Sequence, residues 1–181
     1  MNVFSANDLK LANLFTKIIK LGAATKDLTH LFPLYFGLND SSDKAAREKA
    51  LRVYNDLKPP RHELISEPGR HVVFHSMIKP KPMRKPVNNW LKFCYPHLIK
   101  TGPHDDLSML FIELYESWVE LSDSKPSLNF QQALSAFTYF VSALQKTGQE
   151  AILVPCKSCG TTHISYKNDP LINNHPCPYC S

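Results

Sequence analysis

Apolar residues recur at helical spacing through much of this chain. Between about Asn7 and Leu21, the residues Leu11, Leu14, Phe15, Ile18 and Leu21 share one stripe, and Gly22 supplies a stop. A short second helix is predicted from Thr25 to Phe32, ended by Pro33. After a loop, PLYFGLNDSS, a third runs from about Asp43 to Leu57 with Ser41, Ser42 and Asp43 as candidate caps. Its apolar positions Ala46, Ala50, Val53 and Leu57 leave Lys44, Arg47 and Arg52 off the stripe, with Lys49 nearer its edge. Two longer amphipathic helices follow. In the first, residues 107–121, Leu107, Phe111, Leu114, Trp118 and Leu121 form a seam, and Glu113, Glu116 and Glu120 line another face. In the second, Asn129 to Thr147, the stripe is Phe130, Leu134, Phe137, Val141 and Leu144, with Gly148 as the stop.

Residues 58–89 differ in kind. Prolines at 59, 60, 68, 80, 82 and 86 argue against a continuous helix, and HVVFHSMI (71–78) reads as the one strand-like run. A helix from Trp90 to Ile99 is predicted to break at Pro96.

The last twenty-six residues carry four of the five cysteines, as Cys156-Lys-Ser-Cys159 and Cys177-Pro-Tyr-Cys180 with seventeen residues between the pairs. That is a zinc-site spacing. Two thiolates three apart on a tight turn bind one ion side by side, and two such turns complete a closed tetrahedral shell. Gly160 allows the first turn a left-handed residue. Between the pairs, THISYK and LINN, separated by Asn168-Asp169-Pro170, read as a short hairpin. The expectation is a zinc ribbon with one structural zinc ion per chain, held by Cys156, Cys159, Cys177 and Cys180. Cys94 stands alone among aromatic residues and reads as a core thiol.

Composition narrows the function. Hydrophobic residues make up 43% and charged residues 20%, a globular balance. The chain lacks GxxxxGK[ST] and GxGxxG, which argues against a nucleotide-dependent enzyme. An HD-like pair at His104-Asp105 has no second histidine cluster to complete a metal phosphohydrolase site, so no enzyme is expected. Lys10, Lys17 and Lys20 interrupt any signal-like apolar run, and no stretch approaches a membrane span. A cytoplasmic protein with no membrane partner is expected. Charge is uneven: residues 61–104 carry eight Lys/Arg against two Asp/Glu, whereas residues 105–150 carry two against seven. The basic part suits phosphate backbones and the acidic part a protein partner.

With this tail and these helices, the chain resembles the FlhC family, one of the two subunit types of the flagellar master transcriptional activator. IIKLGAATKDLTHLF, ALRVYNDLKPP, LIKTG and SAFTYFVSALQKTGQEAILVPCKSCGTTHI carry the resemblance in order, and Cys156, Cys159, Cys177 and Cys180 match the family's zinc ligands. The resemblance implies a DNA-binding activator subunit that pairs with a small helical FlhD-type partner, binds promoter double-stranded DNA and recruits RNA polymerase. Relatives on conjugative mobile elements activate transfer genes, so the implied promoters are flagellar or conjugative-transfer ones.

The expected architecture is mainly α. Residues 1–60 form a helix-turn-helix-like region, 61–150 a proline-rich basic connector with long amphipathic helices, and 151–181 the zinc ribbon. Lys44, Arg47, Lys49 and Arg52 on the third helix are candidate readers of a major groove. KPKPMRKP is expected to stay extended and grip phosphates through Lys79, Lys81, Arg84 and Lys85. In the ribbon, Lys157, Ser158, Thr161, Thr162, His163 and Lys167 are candidate DNA contacts. The alternative function is a zinc-ribbon adaptor that binds only protein, through the acidic helix.

Overall fold

The structure, a computed structural model, describes residues 6–37, 44–66, 68–69, 73–100, 106–123, 125–147, 151–166 and 177–180. Among them the chain is mainly helical, with one pair of strands and a cluster of four cysteines near its end. It divides into two compact units. The first comprises Met1–Arg70, Ser108–Lys125 and Asn129–Gln131; the second comprises His71–Leu107, Pro126–Leu128 and Gln132–Ser181.

The first unit begins with α1 (Ala6–Lys20), which buries Phe15, Ile18 and Ile19. Gly22, at φ +103°, ends it in a left-handed turn, as its place after the stripe predicts. α2 (Thr25–Leu31) stops before Pro33, which instead opens α3 (Pro33–Phe36), a single turn that the loop PLYFGLNDSS does not foreshadow. Gly37 closes α3 at φ +74°. α4 (Lys44–Leu57) packs against α1 and α2 through Ala46, Ala50 and Tyr54. The alanines have no bulk to hold the helices apart, so Tyr54, rather than Val53, completes the buried face. The candidate caps 41–43 lie outside the described residues.

α7 (Leu107–Leu121) matches its predicted bounds, but its buried face is rotated. Phe111, Ile112, Leu114, Tyr115 and Val119 are inside, and Leu121 is 72% exposed. The rings of Phe111 and Tyr115 meet Phe130 edge-on, each with centroids 5.2 Å apart. Phe130 and Gln131 open α8 (Phe130–Thr147) and belong to this unit; the rest of α8 belongs to the second.

In the second unit, two expectations are corrected. The run 71–78 is not a strand over its described part: Val73 is extended and α5 (Phe74–Ile78) follows. Phe74 stacks on Tyr139 with ring centroids 4.1 Å apart, and Met77, one turn later, is buried too. Helical spacing serves that packing, which outweighs the strand preference of valine and phenylalanine. The basic run is not extended either. α6 (Lys81–Leu98) starts inside KPKPMRKP and continues through Pro86 and Pro96. Pro82 sits in the first turn, where a missing N–H costs nothing. An interior proline costs about 3 kcal/mol. The burial of Val87, Trp90, Leu91, Cys94 and Leu98 on one face of α6 offsets it at roughly 1.5–3 kcal/mol for each large apolar side chain. Trp90, fully buried, also donates its indole N–H to the Ala133 carbonyl of α8 at 3.0 Å. Burial pushes the Cys94 thiol well above its ordinary pKa, which keeps it neutral.

β1 (Ala151–Pro155) pairs antiparallel with β2 (Thr162–Tyr166), from Ala151 opposite Tyr166 to Pro155 opposite Thr162. THISY thus forms a strand, but its partner is AILVP, because the first cysteine turn is itself the hairpin loop. LINN and the turn at 168–170 lie outside the described residues.

Candidate metal centre and basic surfaces

Each cysteine pair sits on a small turn made by its own backbone. In the first, Gly160 N–H donates to the Cys156 carbonyl at 2.8 Å and Cys156 N–H to the Thr161 carbonyl at 3.1 Å. Gly160 takes φ +71°, the conformation expected of it. In the second, Cys180 N–H donates to the Cys177 carbonyl at 3.1 Å. Backbone N–H groups point at sulfur in both turns: Ser158 to Cys156 Sγ and Tyr179 to Cys177 Sγ, each at 3.4 Å.

The turns face each other, and all four sulfurs lie within 4.8 Å of one another. Cys156 and Cys180 approach to 3.6 Å and Cys159 and Cys177 to 3.8 Å. A regular tetrahedron with metal–sulfur bonds of ~2.3 Å has sulfur–sulfur edges of about 3.8 Å, so the sulfur set fits a four-coordinate, thiol-preferring ion. Such a shell is filled by protein and leaves no position for water or substrate.

The thiols of Cys156, Cys159 and Cys180 differ in acidity. Hydrogen bonds from the Thr161 hydroxyl and backbone N–H draw the Cys159 pKa down to about 6, and backbone N–H groups of Cys159 and Ser158 lower that of Cys156. Cys180, sharing hydrogen bonds with Cys159 and Cys156, is pushed up to about 12. One thiol ionises easily and another resists, because Cys180 keeps its proton to donate to its sulfur neighbours.

The second unit holds this module through contacts the sequence did not reveal. Asn88 Oδ1 on α6 accepts from the Ile164 N–H at 2.9 Å, and Asn88 Nδ2 donates to the Tyr179 hydroxyl at 2.9 Å. Tyr179 in turn donates to Asn89 Oδ1 at 2.6 Å, and Lys92 Nζ donates to the Thr162 carbonyl at 3.0 Å. The available signal was a polar pair, Asn88-Asn89, set between the apolar residues Val87 and Trp90.

The candidate DNA-contacting residues fall into two sets, in different units. On α4, Lys44, Arg47, Lys49 and Arg52 are all exposed. Lys44 lies 3.8 Å from Glu48, one turn on. Lys49 is engaged: its ammonium donates to the Tyr35 carbonyl at 2.6 Å and sits 4.3 Å from the Tyr35 ring centroid. In the second unit Lys79, Lys81, Lys85 and Lys157 are exposed, as is Ser158. Arg84 is turned back, donating from Nε to the Ile78 carbonyl at 3.1 Å and from a terminal nitrogen to that of Lys79 at 3.4 Å. It caps the end of α5 rather than facing solvent. Thr161, Thr162 and His163 are half-buried, and Lys167 lies outside the described residues.

Arg84→Ala is therefore expected to lower thermal stability, whereas Lys81→Ala and Lys85→Ala leave it within about 0.5 kcal/mol of wild type. A melting series on the three variants checks this.

Among the described residues, no helix is long and apolar enough to cross a membrane. Compared with protein-family models, curated protein sequences and solved structures, the chain finds no match.

Proposed function

We propose that this chain is a DNA-binding transcriptional activator subunit of the FlhC type, with one structural zinc ion in a C-terminal ribbon. It acts with a small helical FlhD-type partner to recruit RNA polymerase at flagellar or conjugative-transfer promoters. Zinc is the metal the site suits best, because four thiolates in a tetrahedron match its preferences and it brings no redox chemistry to a structural role.

The observation that carries DNA binding is the division of α4. Ala46, Ala50 and Tyr54 are buried against neighbouring helices, while Lys44, Arg47 and Arg52 stand exposed. With α1 and α2 beneath it, α4 takes the part of the second helix in a helix-turn-helix, and Arg47 and Arg52 are the side chains able to grip guanine edges with two hydrogen bonds. Lys49, held at Tyr35, braces α3 against α4 instead of reading DNA. Lys79, Lys81, Lys85 and Lys157 supply phosphate contacts.

The test is selection of a preferred duplex from a random pool, followed by retardation with variants. Arg47→Ala and Arg52→Ala are each expected to cost about 1–3 kcal/mol on the selected duplex and little on random DNA. Replacing Lys79, Lys81 and Lys85 together is expected to weaken both equally and to flatten the log–log salt slope by about 0.9 for each lost contact. Equal losses on both duplexes for the α4 variants reject base reading by this helix. No retarded band for the wild type leaves the protein-only adaptor, docking through α7 with its exposed Glu113 and Glu120, as the standing alternative.

A further inference from the structure

We infer that Tyr179, Asn88 and Asn89 are positioning residues through which metal loading of the four-cysteine site locks the cysteine module onto α6. The inference rests on the metal reading above. Tyr179 lies inside the second turn, and its two ends have different tasks. Its backbone N–H points at Cys177 Sγ, 3.4 Å away. Its hydroxyl leaves the turn and meets α6, donating to Asn89 Oδ1 at 2.6 Å and accepting from Asn88 Nδ2 at 2.9 Å. Asn88, only 7% exposed, gives its remaining oxygen to the Ile164 N–H of β2 at 2.9 Å. A single buried carboxamide thus joins the strand leading out of the first turn to the tyrosine of the second. Lys92, one turn further along α6, binds the Thr162 carbonyl at 3.0 Å and stands 5.9 Å from the Tyr179 ring centroid.

A loaded four-thiolate shell draws Cys177 and Cys180 to Cys156 and Cys159 and so fixes where Tyr179 stands. Without the ion, no bond ties the second turn to the first, and the phenol is free to withdraw from α6. Asn88 is then left with a buried amide lacking its partner, an arrangement proteins avoid. The strand it holds loosens in turn. Linkage makes the effect reciprocal: the hydroxyl–asparagine contact strengthens metal binding by the factor by which metal strengthens the contact. Metal occupancy therefore governs whether Lys157 on the first turn and Lys85 on α6 are held in one arrangement.

Tyr179→Phe removes one oxygen and keeps the ring. The full chain with this change is expected to bind one zinc ion, but about 10–100-fold more weakly in competition with a chelator, as for other groups that brace a ligand set. Asn89→Ala removes one of the same two bonds, so adding it to Tyr179→Phe is expected to change nothing further. In the wild type, chelation is expected to speed amide exchange at Ile164 while α8 stays protected between Ala133 and Phe140. Equal zinc affinity in wild type and Tyr179→Phe, additive losses in the double variant, or unchanged Ile164 exchange after chelation overturns the inference and leaves the metal reading intact. A wild-type chain that takes up no zinc overturns both.

Discussion

Cys156→Ser and Cys177→Ser are each expected to yield a chain without bound zinc in which residues 151–166 and 177–180 no longer hold their structure. Two five-residue strands make a hairpin that is marginal in water without further support. Of its described side chains, Ile164 is buried at 5% exposure whereas Leu153 remains 44% exposed. Burying one isoleucine contributes roughly 1.5–3 kcal/mol. A structural zinc ion in a site of this type contributes about 10–16 kcal/mol at neutral pH. On the proposed reading, the ion contributes more than the strand pair to holding the module. Acid is expected to act in the same direction. The metal-bound state keeps four sulfurs ionised at pH values where free thiols are protonated, so its stability is present at neutral pH and is lost as pH falls. Elemental analysis and limited proteolysis check the prediction: the serine variants should be metal-free and cut between 151 and 180. Cys94→Ala, which alters a buried core thiol, should keep its zinc. Serine variants that resist protease as well as the wild type contradict the prediction.

Gln131→Leu is expected to destabilise the first unit by about 3–5 kcal/mol, comparable to breaking a buried ionic contact. Gln131 is 2% exposed and uses its whole carboxamide. Nε2 donates to the Gly22 carbonyl at 2.8 Å and to Asp27 Oδ2 at 2.7 Å, while Oε1 accepts from the Gly69 N–H at 2.8 Å. Asp27, also 2% exposed, accepts a second bond from the Ala24 N–H at 2.7 Å. Leucine has similar volume, so the loss is of hydrogen bonds rather than packing. It strands a carbonyl, an amide and half the solvation of a buried carboxylate, each worth ~1–3 kcal/mol. Gly69 is tightly packed there: a Cβ on it would lie 2.6 Å from Asn129 Nδ2. Denaturant unfolding followed by circular dichroism measures the change. A shift below 1 kcal/mol would mean that water replaces the carboxamide.

The metal site was legible because it is local: spacing alone brings two thiolates onto one turn, and the glycine after the first pair marks its geometry. The α1, α4, α7 and α8 helices were legible for a similar reason, since apolar residues recur through them at helical spacing, and Gly22, Pro33 and Gly148 mark ends for α1, α2 and α8. What failed depends on distant partners. Phe74 and Met77 become helical because Tyr139 and the core receive them, and α6 tolerates Pro86 because of the residues it buries. Helical spacing puts Lys49 near the edge of its stripe and Arg84 within a basic run, yet both turn to backbone carbonyls that no local pattern reveals. The Asn88–Tyr179 contact joins positions far apart in the chain. Only the fold brings them together.

The most direct measurement is a titration of the full zinc-loaded chain, with and without the proposed FlhD-type partner, against labelled duplex DNA over a range of salt concentrations. Saturable binding is predicted, with log affinity falling linearly against log salt and a selected promoter duplex bound roughly 10³-fold or more tighter than random sequence. A zinc-loaded, folded chain that binds no duplex at about 0.1 M salt, alone or with an FlhD-type protein, would contradict the account.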